Sequence, residues 1–406
     1  MRGFLSRAEM GKRKATTELK IRPTTLKIHE AMGRGKEIYT KMELDPKHVH
    51  NFDETAITYG IGPVHIYIPK SQGRAAQAPG TNVKARITAV VSFSGDGKPD
   101  PLMFIIRHSV KINANRPDQT NAKVISSLHK DVGFREEDGW QKITWNRSLA
   151  IDNITKEYKC IYLIHSEKGH VICSQHKAWN DTIRMAMYID LIMKPLHDKN
   201  GGKSLTWADN CGCHKTPCIE ALMKELGLSM ALLPPNMTDV LQVIDLVVNG
   251  PIKQHIRTKR AERIVDYFKE YKVQFQANPN NLDLRKFNPP KATMKQGILD
   301  IINLFETVFS QQKFAEGVHR SFESTGMIPT SSINWAEYRS STTSGYIKKE
   351  PRGSIDSLLL DIDSQIEVQE VIVQQAIDSY LDGVEDEDDD VDCDADCEDE
   401  DESEHN

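Results

Sequence analysis

The chain has 406 residues, 39% of them hydrophobic and 27% charged, which suffices for one large domain or two ordinary ones with much surface left in water. No run approaches the roughly 18 apolar residues that span a bilayer, and residues 1–40 are basic without the apolar centre of a secretory signal. The seven cysteines, Cys160, Cys173, Cys211, Cys213, Cys218, Cys393 and Cys397, are too few and too scattered for a disulfide framework, so an intracellular, reduced location is expected.

The net charge of −6 conceals an asymmetry: residues 351–406 carry 22 acids against Arg352 alone, while residues 1–350 carry 51 Lys and Arg against 36 acids. A body with that surplus attracts a polyanion through phosphate neutralisation and counterion release, or else is simply a solvated charged surface.

In chain order, residues 1–47 form a basic lead-in whose apolar positions Ile28, Met32, Ile38 and Met42 allow a helix from Leu26 to Met42. The β-rich runs VHNFDET, VHIYIP, ARITAVVSFS and PLMFIIR follow, separated by turn signals, and predict an antiparallel meander. Residues 109–169 have weak periodicity and read as an insertion with short strands of its own. In HKAWNDTIRMAMYIDLIMKPL, Trp179, Ile183, Met187, Ile189, Leu191 and Ile192 recur with a helical period, and Pro195 marks the expected stop. SLTWADN then reads as a strand ending in an acid, PCIEALMKELG as a helix between Pro217 and Gly227, and LSMALLPP as a buried strand. TDVLQVIDLVVNGPIKQHIRTKR reads as one long helix with Thr238 as N-cap. Amphipathic helices between Lys291 and Thr330 are expected to cover one face. Residues 331–381 read as a linker with weak helix, and 382–406 as a disordered acidic tail.

Three strands, an insertion, then helix, strand, helix, strand, helix is the order of an RNase H-like α/β fold, a mixed sheet flanked by helices. Residues 48–330 would form it.

Three acids fall where such a fold converges. Asp53 sits inside an apolar strand, where a carboxylate loses hydration and needs compensation; it suits a metal ligand or, alternatively, an acid bonded to Thr55 or turn amides. Asp209 ends a strand directly before a Cys/Gly loop, as a cleft residue or an Asx-turn. Asp245 lies mid-helix among Leu241, Val248 and Ile252, pointing inward or out toward solvent beside Lys253 or Gln242. Brought together, three carboxylates call for cations, and two Mg²⁺ or Mn²⁺ ions roughly 3.5–4 Å apart would serve an in-line phosphoryl displacement.

NFDET, TWADNCGCHK and LLPPNMTDVLQVIDLVVNGPIK resemble the three signature blocks of the DDE-1 superfamily endonucleases, the pogo/Tigger/Jerky branch of the mariner-like DDE transposases, and GVHRSFESTGMIP resembles the family's closing helical motif. The resemblance implies a nuclease and strand-transferase acting in the nucleus on transposon ends and target DNA, typically at TA, with Asp53, Asp209 and Asp245 as catalytic and metal-holding residues. No membrane is implied, and a homodimer is an assembly open to it. Val243 stands where the family usually has Pro and Ala56 where it often has Gly; neither change removes a ligand. Relatives place helix-turn-helix domains before the core, and RGFLSRAEMGKRKATT looks like only their last stretch.

Among local alternatives, Cys211, Cys213, His214 and Cys218 suggest zinc, but the spacing lacks a second ligand pair. His214 and Lys215 are candidate phosphate contacts, and Lys253, Arg257, Lys259 and Arg260 could track the DNA backbone or form a solvated helix face. Asp239, next to Thr238, is better placed for helix-start stabilisation than as third acid. The competing function is a catalytically silent, transposase-derived DNA- or chromatin-binding protein, which fold alone does not separate from the enzyme.

Overall fold

The computed structural model describes residues 23–59, 86–107, 133–151, 154–277 and 290–329. The run VHIYIP, the stretch RGFLSRAEMGKRKATT, the linker and the acidic tail lie outside the described residues.

Among the described residues eight strands form one sheet: β1 (Val49–Thr58), β2 (Arg86–Ser94), β3 (Met103–Arg107), β4 (Trp140–Ile151), β5 (Ile154–His165), β6 (Val171–Gln175), β7 (Leu205–Ala208) and β8 (Ser229–Leu232), in the order β4-β5-β6-β3-β2-β1-β7-β8. The meander β1-β2-β3 is antiparallel, and β7 and β8 add in parallel beside β1. The inner order 3-2-1-7-8 is the RNase H-like sheet expected from the element order.

β2 explains why the sheet has helices on both faces. Its residues are buried almost without interruption, Thr88, Ser92 and Ser94 included, as a central strand covered on both faces must be. With side chains alternating, Ile87, Ala89, Val91 and Phe93 enter one core while Val90 enters the other. The second core takes α2 (Thr182–Tyr188), α3 (Lys194–Lys199) and α4 (Pro217–Glu225). The first takes α5 (Thr238–Leu241), the long α6 (Asn249–Ala277), α7 (Met294–Leu304) and α8 (Gln312–Ser324). α7 and α8 supply Ile298, Ile301, Phe314, Val318 and Phe322, all buried, and each such side chain is worth about 1.5–3 kcal/mol of transfer free energy. The closing motif ends α8 on Gly326 at φ 75°, a left-handed C-terminal residue that turns Met327 and Ile328 back into the same core.

The N-terminal helix α1 (Thr25–Lys41) forms close to where the periodicity placed it, capped by the Thr24 side chain. It lies on β7 and β8 through Ile28 and Met32. At Gly35 an added Cβ would fall 2.0 Å from the Trp207 ring, so glycine is what lets the helix rest on the indole.

Three expectations are corrected. The insertion contains two twelve-residue strands, β4 and β5, rather than short ones; they pair along their full length and extend the sheet beyond β6. β4 is fully buried at Trp140, Trp145 and Leu149, a spacing that obscures a period of two. Pro195 does not stop the helix, because a π-turn over Ile189–Met193 precedes it and the chain runs on through α3 to Lys199. Trp179 is outside the core: it is 59% exposed, with the Arg86 guanidinium 5.4 Å from its ring. No helix among the described residues is long and apolar enough to cross a membrane.

Candidate active site

Asp53 and Asp209 meet because β1 and β7 are parallel. Asn51 is level with Trp207, and continuing that register by two residues sets Asp53 beside Asp209, just past the end of β7. Carboxyl ends of parallel neighbours are where an α/β sheet opens a cleft.

Asp245 arrives by a different route. The expected long helix is broken: α5 is a single turn, Gln242 leaves helical geometry at ψ 105°, and a π-turn over Ile244–Val248 leads into α6. The break is held by polar side chains inside the core. Asn51 Nδ2 donates to Trp207 O and to Gln242 Oε1, both at 3.1 Å, while its Oδ1 accepts from Ile244 N at 3.2 Å. Gln242 Nε2 in turn donates to Phe52 O at 2.8 Å. Asn51 and Gln242 are fully buried, so each bond is one the folded chain would lose at the cost of an unsatisfied polar group. This web fixes β1, β7 and the start of the π-turn against one another, and with them the three acids.

Asp245 itself is exposed, whereas Leu241, Val248 and Ile252 are buried, so it does not share their face as a regular helix would require. A π-turn adds a residue to the turn and rotates the face, which is a recurrent device at functional sites. The carboxylate is not loose. Asn249 Nδ2 donates to Asp245 Oδ1 at 2.8 Å and to Asp53 Oδ2 at 3.0 Å, bridging strand and helix with one amide.

Burial pushes the Asp53 carboxyl well above its ordinary range, and the charges of Asp245, Glu54 and Asp209 push it further; the Asn249 hydrogen bond opposes them. Burial also raises Asp209, but the hydrogen bond and charge of His214 outweigh it and hold this carboxyl low. The donor set thus fits a hard divalent cation: three carboxylates from β1, the β7 end and the π-turn, one of them held by its neighbours at a proton affinity that a cation would relieve.

His214 is buried on Phe52, ring centroids 5.1 Å apart, and clamped between carboxylates. Its Nδ1 lies 2.8 Å from Asp209 Oδ1 and its Nε2 3.0 Å from Glu54 Oε1. Burial disfavours the imidazolium, but the two acids prevail and raise it to about 10. Both ring nitrogens are therefore engaged within the protein, and the expected phosphate contact gives way to a role in positioning Asp209. Lys215 is exposed and donates to Asn210 Oδ1 at 2.8 Å. Lys253 and Arg257 are exposed at four-residue intervals beyond Asn249, a row leading away from the carboxylates. Lys259 pairs with Glu262, and Arg260 is buried with its guanidinium on Pro290 O, so neither extends that row. Asp239 lies in the first turn of α5, although the N-cap is Met237 rather than Thr238.

Sequence reasoning missed Asn51, Glu54, Gln242 and Asn249. The available signal was three amides within or beside apolar runs, which burial tolerates only when their bonds are satisfied.

Fold and site together define an RNase H-like domain carrying an acidic triad at the carboxyl edge of its sheet. Residues 159–287, which include Asp209 and Asp245, match the family model of the DDE superfamily endonucleases. Solved structures of the Mos1 mariner transposase are also similar. A strand transfer complex is 8% identical with a TM-score of 0.40, covering 86% of this chain and 71% of that one. A paired end complex with Mn is 12% identical with a TM-score of 0.32, covering 80% and 72%. The catalytic domain is 8% identical with a TM-score of 0.30, covering 76% and 96%. No curated protein matches the sequence.

Proposed function

We propose that the chain is a metal-dependent endonuclease and strand-transferase of the transposase type, acting in the nucleus on transposon ends and target DNA. The observation that carries this reading is the Asn249 bridge, which holds the carboxylates of Asp53 and Asp245 on one amide while Asp209 presses on Asp53 from the neighbouring strand.

Asp53, Asp209 and Asp245 would hold two Mg²⁺ or Mn²⁺ ions, and bound there such ions supply charge for the attacking and leaving oxygens of an in-line displacement at phosphorus. The chain's own residues prepare the rest. Asn249 orients two of the carboxylates toward each other, and His214 fixes the third by its hydrogen bond to Asp209. Lys253 and Arg257 offer two cations to the phosphates flanking the scissile one, giving affinity without reading sequence. Water or a 3′-hydroxyl would be the nucleophile, for hydrolysis and for joining respectively.

The test is cleavage of a supercoiled plasmid, and joining of an oligonucleotide to it, by purified protein with Mg²⁺ or Mn²⁺. Both activities should vanish with chelator and fall at least about a hundredfold in Asp53→Asn, Asp209→Asn and Asp245→Asn, as expected when a group acts mainly in the transition state. Cleavage that survives in all three variants would sink the proposal. DNA binding without cleavage under any metal would favour the silent DNA-binding reading.

A further inference from the structure

The loop after β7 carries Cys211-Gly212-Cys213-His214, a run whose spacing supplies no second ligand pair. The fold supplies the missing partner from elsewhere. Glu54, on β1 and 160 residues away from His214 in sequence, brings its Oε1 to 3.0 Å from His214 Nε2. The ligand atoms of Glu54, Cys213 and His214 all lie within 4.8 Å of one another, and Cys211 Sγ is 3.5 Å from Cys213 Sγ.

The Glu54–His214 separation of 3.0 Å and the Cys211–Cys213 separation of 3.5 Å are each close to what one tetrahedral ion requires. Nitrogen and oxygen ligands at about 2.0–2.1 Å from zinc stand about 3.3 Å apart, and two thiolates at about 2.3 Å stand about 3.8 Å apart. The environment is also that of a ligand histidine. Its Nδ1–H donates to Asp209 Oδ1 at 2.8 Å, and its Nε2, whose proton is held by Glu54 and would be displaced by the ion, faces Glu54 and Cys213. Cys211 is exposed and Cys213 and Glu54 partly so, giving an ion a way in, while Phe52 closes the inner side of the ring. Sulfur and imidazole select a borderline ion such as Zn²⁺ over Mg²⁺.

We infer that Glu54, Cys213 and His214, with Cys211 as the fourth ligand, form a zinc site separate from the acidic triad, clamping the β7 loop to β1. Binding exchanges the protons of the two thiols and of the Nε2 position for the ion, with no change of oxidation state. Cys218, buried in α4 among the second core, takes no part. The inference does not depend on nuclease activity, because it concerns a metal of different chemistry on different ligands.

The test uses the full reduced chain, stripped with chelator and titrated with Co²⁺. One equivalent should produce thiolate-to-cobalt charge-transfer absorption with tetrahedral d–d bands, which Zn²⁺ abolishes and excess Mg²⁺ does not. The absorption should be lost in Cys213→Ser and weakened at least tenfold in Glu54→Gln, yet retained in Asp53→Asn and Cys218→Ser. Should Cys213→Ser fail to fold, alkylation of the wild type at Cys211 and Cys213, mapped by mass spectrometry, gives the same reading: the absorption disappears. Absence of the band in wild type, its survival after loss of Cys213, or its loss in Asp53→Asn overturns the inference.

Discussion

Asn249 holds Asp53 at 3.0 Å across 196 residues of sequence, and the same amide nitrogen reaches Asp245 one turn back. It spends both of its hydrogens on carboxylates that repel each other. Replacing it with Ala removes both charge-assisted bonds, a loss of about 1–3 kcal/mol. The metal-free melting temperature of Asn249→Ala should fall by about 2–4 °C per kcal/mol lost. Mg²⁺ should recover more of the loss than it adds to the wild type, because a cation at the carboxylates meets the same repulsion. Thermal denaturation with and without Mg²⁺ measures both, and an equal metal-induced rise in the two proteins would refute the assignment.

Asp53 also predicts a pH dependence whose sign is opposite to that of an ion-paired acid. Its folded carboxyl binds a proton more tightly than the unfolded chain does, because burial and the facing Asp245, Glu54 and Asp209 disfavour its charge. Its contribution to stability is therefore fully present below the ordinary value of 3.8 and is lost as pH climbs through the raised folded value. In metal-free protein, stability should decline with rising pH over that window, by at most about 1.4 kcal/mol per pH unit from this group. Asp53→Asn should flatten the decline. Denaturant midpoints across the window decide the matter, and an unchanged slope in the variant would contradict it.

Lys253 and Arg257 are exposed and lie on the row that begins at Asn249, so they predict a DNA effect without a folding effect. Each phosphate contact removed should reduce the slope of log affinity against log salt by about 0.9. Lys253→Gln with Arg257→Gln should thus lower it by about 1.8 in total, weaken binding alike for duplexes of different sequence, and leave the melting temperature unchanged. Fluorescence anisotropy over a salt series reads the slope directly.

What the sequence disclosed was whatever had a period or a position. β2 and β3 were legible as β-rich runs between turn signals, α1 and α4 by spacing and caps, and Asp209 because it follows directly on a strand. The triad itself became legible only when the element order implied an RNase H-like sheet. The supports of the site were not legible. Gln242 and Asn249 sit in a run whose spacing is helical, and nothing local announces that the helix is interrupted at one and wound as a π-turn before the other. Glu54 gains its meaning from His214, which is distant in sequence and near only through the parallel β1–β7 register.

Trp207 and Gly35 decide whether the N-terminal helix belongs to the RNase H-like fold. Trp207 is wholly buried on β7, two residues before Asp209, and one edge of its ring faces the backbone of α1 at Gly35. A methyl group there would stand 2.0 Å from one ring carbon and 2.2 Å from the next, far inside van der Waals contact. In a free helix the same change to Ala would add about 1 kcal/mol of helix stability, since glycine is the poorer helix former. The two effects have opposite signs, which makes the experiment decisive. If α1 rests on Trp207 as described, overpacking prevails and Gly35→Ala loses about 1–3 kcal/mol, with Gly35→Val worse. Because the displaced ring sits on the strand that leads directly into Asp209, the proposed metal-dependent cleavage should fall along with stability. Denaturant unfolding of the two variants gives the answer, and a stabilised Gly35→Ala would show that the helix is not seated on this strand.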